Sequence, residues 1–295
     1  MIDLDKILNK VKDSEDTKLK QETASQESDP RLLSLKRGNK YTLRLLPNHH
    51  NTDDTFISYK DVGFTSRVEG GAFIYAGRSL SDADPKQSKN DLIRKVQWDT
   101  YEKAKNAGDE QGKKDSYKLI PNRKQLVNAY LVAVEGDDEN SKKKIGQDIV
   151  FRYPAGIDNK TGEPKSDILK VIHAGIFGEM AKKIGKRAFD LTDKGRSLIV
   201  KVIEKGGFNN YGETRFDDAE DLNLSAEQIK KIYESTHNLQ ELVPPVKPND
   251  EVQKLLDEHW WGTSASAKDE VDDEDDQIPM GNTKGGDDDL DDLLD

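Results

Sequence analysis

The chain has 295 residues, 33% of them hydrophobic and 35% charged, with no cysteine and a formal net charge of −11. These figures exclude disulfides and any cysteine-built zinc site, and no apolar run approaches the roughly 20 residues that a membrane-spanning helix needs. The charge is unevenly placed: residues 269–295 hold 13 acidic side chains against one lysine, whereas residues 31–210 hold 34 Lys and Arg against 24 Asp and Glu. A basic body with an acidic tail fits either a polyanionic ligand that the tail imitates or a soluble domain with a solvating tail.

Leu4, Ile7, Leu8 and Val11 recur at spacings of three and four, which predicts an amphipathic helix over 2–12, followed by a polar linker to Asp29-Pro30. This helix docks either on its own body or on a neighbouring subunit. Its early acidic residues do not suit a secretory leader. From Leu32 the pattern changes to strands: after a Gly38-Asn39 turn, Tyr41, Leu43 and Leu45 alternate, Arg44 projects to the opposite face, and Pro47 ends the run. Further strands are predicted at 56–64 and 73–76. His49-His50 beside Asp53-Asp54 has the right chemistry for a metal but sits in a polar loop, and no metal is expected there. A helix is predicted over 88–105, capped by Ser88, with Leu92, Val96 and Tyr101 facing inward, and 105–115 reads as a polar loop.

Tyr117, Lys118, Arg123 and Lys124 then lead into a strand through Tyr130, Leu131, Val132 and Val134. Basic and aromatic residues interleaved at a strand entry suit a nucleic acid, or else mark a solvated face with a core tyrosine. In the next strand Phe151 and Tyr153 share one side and Val150 and Arg152 the other, so 127–135 is predicted to pair with 148–153. Residues 166–184 keep helical spacing through Ile168, Ile172, Ile176 and Met180 and run into the basic turn 182–187. Residues 189–192 are predicted to form a hairpin with a strand over 197–205.

That strand is dense in β-branched residues, and Gly206-Gly207 break it before Phe208 and Tyr211, which are separated only by Asn209 and Asn210. Nothing nearby has the apolar bulk to bury the two rings, and Lys201, Lys205 and Arg215 flank them. Rings for bases beside fixed cations for phosphates are what stacking on unpaired bases requires; the alternative is two rings capping the core. A helix over 225–239 follows with a capping box of Ser225 and Gln228, then a proline-rich linker and a short helix from Asp250 to His259 that brings Leu255, Leu256 and Trp260-Trp261. The tail has too little apolar surface to offset chain entropy and is predicted disordered, with Leu290, Leu293 and Leu294 as a short anchor for partner proteins. There is no G-x-x-x-x-G-K or H-E-x-x-H motif and no carboxylate cluster on a rigid element, so neither an enzyme nor a cofactor is expected.

Residues 208–216, F-N-N-Y-G-E-T-R-F, resemble the G-F-x-N-Y-x-E-x-K-F turn of the helix-destabilising, single-stranded DNA-binding proteins of T-even phages. Arg44-Leu45-Leu46-Pro47 is similar to that family's R-F-L-P strand end, and 117–134 to its Y-x-L-V-x-R-K segment leading into A-N-I-L-V-V. Residues 150–153 resemble its V-F-K-Y strand, and the terminal D-L-D-D-L-L its acidic tail. The first four matches span residues 40 to 216 in family order.

The resemblance implies a mainly β, α+β chain. A helix and linker at 1–30 precede an OB-fold-like five-stranded core at 31–216, with an inserted subdomain about 64–110. Helices occupy 217–262 and the tail 263–295. It implies a cleft for single strands built from Arg44, Tyr117, Arg123, Tyr153, Phe208 and Tyr211. Lys124 sits beside the family's basic run, and Arg152, Lys201, Lys205 and Arg215 add cations. It further implies coating of single-stranded DNA during phage replication, recombination and repair in the cytoplasm of an infected bacterium, with the tail docking replication proteins and competing with DNA. An RNA-binding translational regulator using the same cleft is the rival, and a metal-dependent nuclease a more distant one. Two departures stand out. The family's zinc ligands have no His or Cys counterpart in 64–96, which calls for metal-free packing or a reduced subdomain. Its N-terminal basic-Ser/Thr motif for cooperative binding is also absent, leaving the helix over 2–12 as the element for self-association on DNA.

Overall fold

The computed structural model describes residues 29–68, 71–158, 160–206 and 208–262. The helix over 2–12, the acidic tail and Leu290, Leu293 and Leu294 lie outside the described residues. Alternation in the sequence becomes a large, mostly antiparallel sheet. Its strands are β1 (Leu32–Leu33), β2 (Lys40–Leu46), β3 (Ile57–Thr65), β4 (Phe73–Arg78), β5 (Asn122–Glu135), β6 (Asp148–Pro154) and β7 (Arg196–Lys201). After β8 (Ile203–Lys205) and β9 (Phe208–Asn210), which pair only with each other, β10 (Arg215–Ala219) rejoins the sheet. The hydrogen-bonded order is β1-β6-β5-β2-β7-β10, with β3 on the first part of β5 and β4 on β3. Among the described strands the short β1–β6 pair is the parallel one, and Arg78 at the end of β4 makes an isolated parallel bridge to Val246. β5 and β6 pair antiparallel as anticipated, but the ladder runs over Lys124–Tyr130 against Asp148–Pro154, with Val127 opposite Phe151, and so lies nearer the start of β5 than 127–135. β6 and β10 are not hydrogen-bonded to each other, so the sheet does not close into a barrel.

Helices fill the spaces between strands. Asp91 caps α1 (Leu92–Ala107) by accepting from the Arg94 N–H, and Asp109 caps α2 (Glu110–Ser116). α3 (Asp167–Ile176) packs against both β6 and β10, across the open seam. Ile168 and Ile172 of α3 join Tyr41, Leu43, Phe151 and Val200 in the main core. A second core gathers Val62, Phe64, Ile93 and Val96 around Leu256 and Trp260, so α5 (Asn249–Leu256) and the turn after it pack on the inserted segment. Before α5, α4 (Ala226–Glu234) carries the capping box anticipated at Ser225 and Gln228. No helix of the described residues is long and apolar enough to cross a membrane.

Three helices differ from the sequence pattern. α1 starts at Leu92 because Asp91 serves as its cap, while Ser88 falls in a 3-10 turn, Pro85–Asn90. α2 occupies the stretch read as a polar loop; its Asp109 carboxylate accepts from the Gln111 and Gly112 N–H groups, a cap that needs no apolar periodicity. α3 stops at Ile176, since the Phe177 and Gly178 N–H groups both donate to the His173 carbonyl and the chain turns away.

Residues 189–192 likewise make no hairpin. β7 pairs with β2 and β10, and the chain leaves it at Val202, whose N–H and C=O bond to Asn39 and Gly38. α3 is fixed against β10 at one close contact. A Cβ on Gly175 would lie 2.6 Å from the Phe216 ring. Gly175→Ala is expected to cost about 1–3 kcal/mol through overpacking, read as a lower urea midpoint; an unchanged midpoint would mean that Phe216 can give way.

Candidate nucleic-acid interface

The β8–β9 ribbon turns at Gly206, whose φ of +61° suits a residue without a Cβ, and sets Phe208 opposite Lys205. The Phe208 ring is 78% exposed, while Tyr211 is half-buried against the main core. Arg37, in the turn between β1 and β2, holds the ribbon by donating to Asn209 Oδ1 at 2.6 Å and Glu204 Oε2 at 3.1 Å. That turn is itself pinned to the buried Asp138, which accepts from Tyr41 at 2.9 Å and pairs with Lys36 at 3.1 Å. Burial pushes the Asp138 carboxyl up, but hydrogen bonds from Ser141, Tyr41 and Lys36 outweigh it and hold the group below the usual carboxylate range. Sequence alone showed a cation at 37; it gave no sign of a partner 172 residues away.

Beyond Tyr211 the chain reaches α3. A Cβ built on Gly212 would stand 3.9 Å from Asp167 Oδ2, in the first turn of that helix. The preceding residues, Lys165 and Ser166, line an open groove of about 460 Å³ together with Arg123, Lys124, Pro154 and Gly156. Ser166 Oγ donates to the Pro154 carbonyl at 2.7 Å, tying the helix start to the end of β6. Lys124 pairs with Asp61 at 2.7 Å and Lys165 with Asp158 at 3.6 Å. Arg152 lies half-exposed on the same face of the sheet as Lys124, two positions before Pro154. On the ribbon side Lys201 pairs with Glu213 at 2.7 Å, and Lys205 and Arg215 are exposed. The first turn of α3 thus joins an aromatic ribbon to a cationic groove. Lys165 was not singled out in the sequence, because its loop carried no aromatic or strand signal.

Two anticipated contact residues are sealed. Arg44 is fully buried: its Nη1 donates to the Asp190 carbonyl, Nη2 to the Glu220 carbonyl at 3.2 Å and Nε to Ser197 Oγ at 3.4 Å. Its guanidinium has no path to a phosphate, and burial lowers its pKa against the opposing pull of Asp190 and Glu220. Tyr153 is 1% exposed, stacks on Phe151 at 5.0 Å and donates to Gln125 Oε1 at 2.6 Å. Burial pushes its hydroxyl above the ordinary phenol range. Both residues leave the set of ligand contacts.

Tyr117 is half-buried in a one-turn helix, Tyr117–Leu119, with its ring 6.2 Å from Tyr101 of α1, and is not among the residues lining the groove. His49 and His50 bond to Thr236, and the described residues contain no cluster of three or more His, Asp or Glu placed to hold a metal. No protein-family model and no curated protein sequence matches the chain.

Proposed function

We propose that this protein binds single-stranded DNA without regard to sequence and coats it during phage replication, recombination and repair. The observation that carries the reading is Phe208: a large apolar ring left 78% exposed on a ribbon that Arg37 fixes in place, with Lys205 opposite it. Such a ring has a bare π face for a base, and the groove reached across α3 supplies Arg123, Lys124 and Lys165 for the backbone.

The topology supports an OB-like reading of the sheet. β2, β5, β6, β7 and β10, taken as strands one to five, lie in the order 3-2-1-4-5, with α3 between the third and fourth. An OB barrel that is open between its third and fifth strands has this order, and OB folds bind oligonucleotides on the face of strands two and three and on the loops joining one to two and four to five. In this chain the last of those loops is the Phe208 ribbon. Lys124 and Arg152 lie on strands two and three. By the same reading the acidic tail competes for the cationic groove and docks replication proteins through Leu290, Leu293 and Leu294.

A salt titration tests this. Arg123, Lys205 and Arg215 neutralising about three phosphates on a single strand give a log-log slope of about −2, which Lys124 and Lys165 steepen only as far as phosphates displace Asp61 and Asp158. Deleting residues 269–295 is expected to raise affinity at low salt, with the gain fading as salt rises. Duplex bound as tightly as the matched single strand would overturn the reading, and RNA preferred over matched DNA would replace it with the translational-regulator alternative.

A further inference from the structure

Among the described residues β4 is an edge strand: it pairs with β3 and meets a further segment only at its last residue, where Arg78 bridges to Val246, leaving the edge open at Phe73 and Tyr75. Ile74 packs into the second core, so Phe73 and Tyr75 face the other way, and their rings are 68% and 40% exposed. Two large rings side by side on an open edge are a liability unless something covers them.

Register shows what lies beside them. Tyr75 stands opposite Gly63, where a Cβ would overlap the tip of the Phe73 ring; glycine there makes room for the ring over β3. Two residues earlier on the same face of β3, Asp61 holds Lys124, which lines the groove. The Tyr75 hydroxyl is set close enough to Asp61, Tyr59 and Arg152 for all three to act on it electrostatically, and burial, the larger effect, raises it above the ordinary phenol range. The aromatic pair therefore begins where the cations Lys124 and Arg152 end.

We infer that the nucleic-acid path continues past the groove onto the β3–β4 hairpin, where Tyr75 and Phe73 form a second stacking platform for unpaired bases. The inference rests on the single-strand reading above. Of the possible occupants, a polyanion with flat, apolar bases suits rings that adjoin fixed cations, and the platform is continuous with the groove already assigned to its backbone.

The test is affinity against oligothymidylate length, from about 4 to about 16 nucleotides, for the full chain and for Phe73→Ala/Tyr75→Ala. Short oligonucleotides are expected to bind both proteins equally, while the longest lose about tenfold in the double variant, or about 1.4 kcal/mol. Phe73→Ala alone, with thermal melting of each protein, guards against a folding defect. Gly63→Val displaces the Phe73 ring without removing an aromatic or a charge, and is expected to give part of the same loss. If the wild type binds no single strand, the functional reading itself fails. If it binds and the double variant tracks it at every length, only the second platform fails. If the double variant instead dissolves a dimer seen without oligonucleotide, the rings are an interface between copies and the inference is overturned.

Discussion

Arg44→Ala is expected to lose about 3–5 kcal/mol of stability while leaving the DNA affinity of the folded fraction unchanged. The substitution removes a fully buried side chain and leaves a cavity, which is the larger cost, and takes the donor from the part-buried carbonyls of Asp190 and Glu220, which adds to it. A lysine keeps the charge but cannot reproduce a planar fork donating in three directions, so Arg44→Lys should also be destabilised. Gly195 belongs to the same arrangement, because a Cβ there would overlap the guanidinium and the Asp190 carbonyl. Urea unfolding followed by oligonucleotide titration of the folded protein decides the case. Normal stability with lost binding would return Arg44 to the ligand surface.

Arg44 also shows where the sequence stops being legible. Alternation with Tyr41, Leu43 and Leu45 correctly put it on the face away from the main core. It could not show that this face is covered, because the covering carbonyls lie 146 and 176 residues further along the chain. Tyr153 fails in the complementary way: it shares a side with Phe151 as anticipated, but that side is the inner face of the sheet. Period-two patterns fix which residues travel together and leave open which side meets water.

Strands β2, β3, β5 and β6 were readable because burial on at least one face imposes that pattern. α2 was not, since a short, largely exposed helix held by an Asp109 cap and the Glu110–Lys113 pair carries no apolar stripe. Within the candidate site, the exposure of Phe208 was legible from the absence of apolar neighbours. The groove was not, because Lys165 meets Arg123 and Lys124 only through the packing of the start of α3 against the end of β6.

Phe208→Ala is expected to weaken binding to a single-stranded oligonucleotide by about 1–3 kcal/mol, the range for losing one base–aromatic stack, or about five- to 150-fold. Stability should hold to within about 0.5 kcal/mol, as for other exposed sites, because the ring is 78% exposed and contributes little packing. Phe208→Trp is expected to restore affinity, since it keeps a π face; Phe208→Leu, apolar but without one, should not. Lys205→Ala provides the contrast. Removing a phosphate contact flattens the salt slope by about 0.7, whereas removing a stack lowers affinity at every salt concentration and leaves the slope alone. Tyr211→Ala is less clean, because its half-buried ring also packs on the main core and its loss mixes stability with binding. If Phe208→Leu binds as tightly as the wild type, the ribbon offers apolar contact rather than stacking, and the preference for unpaired bases must come from the groove.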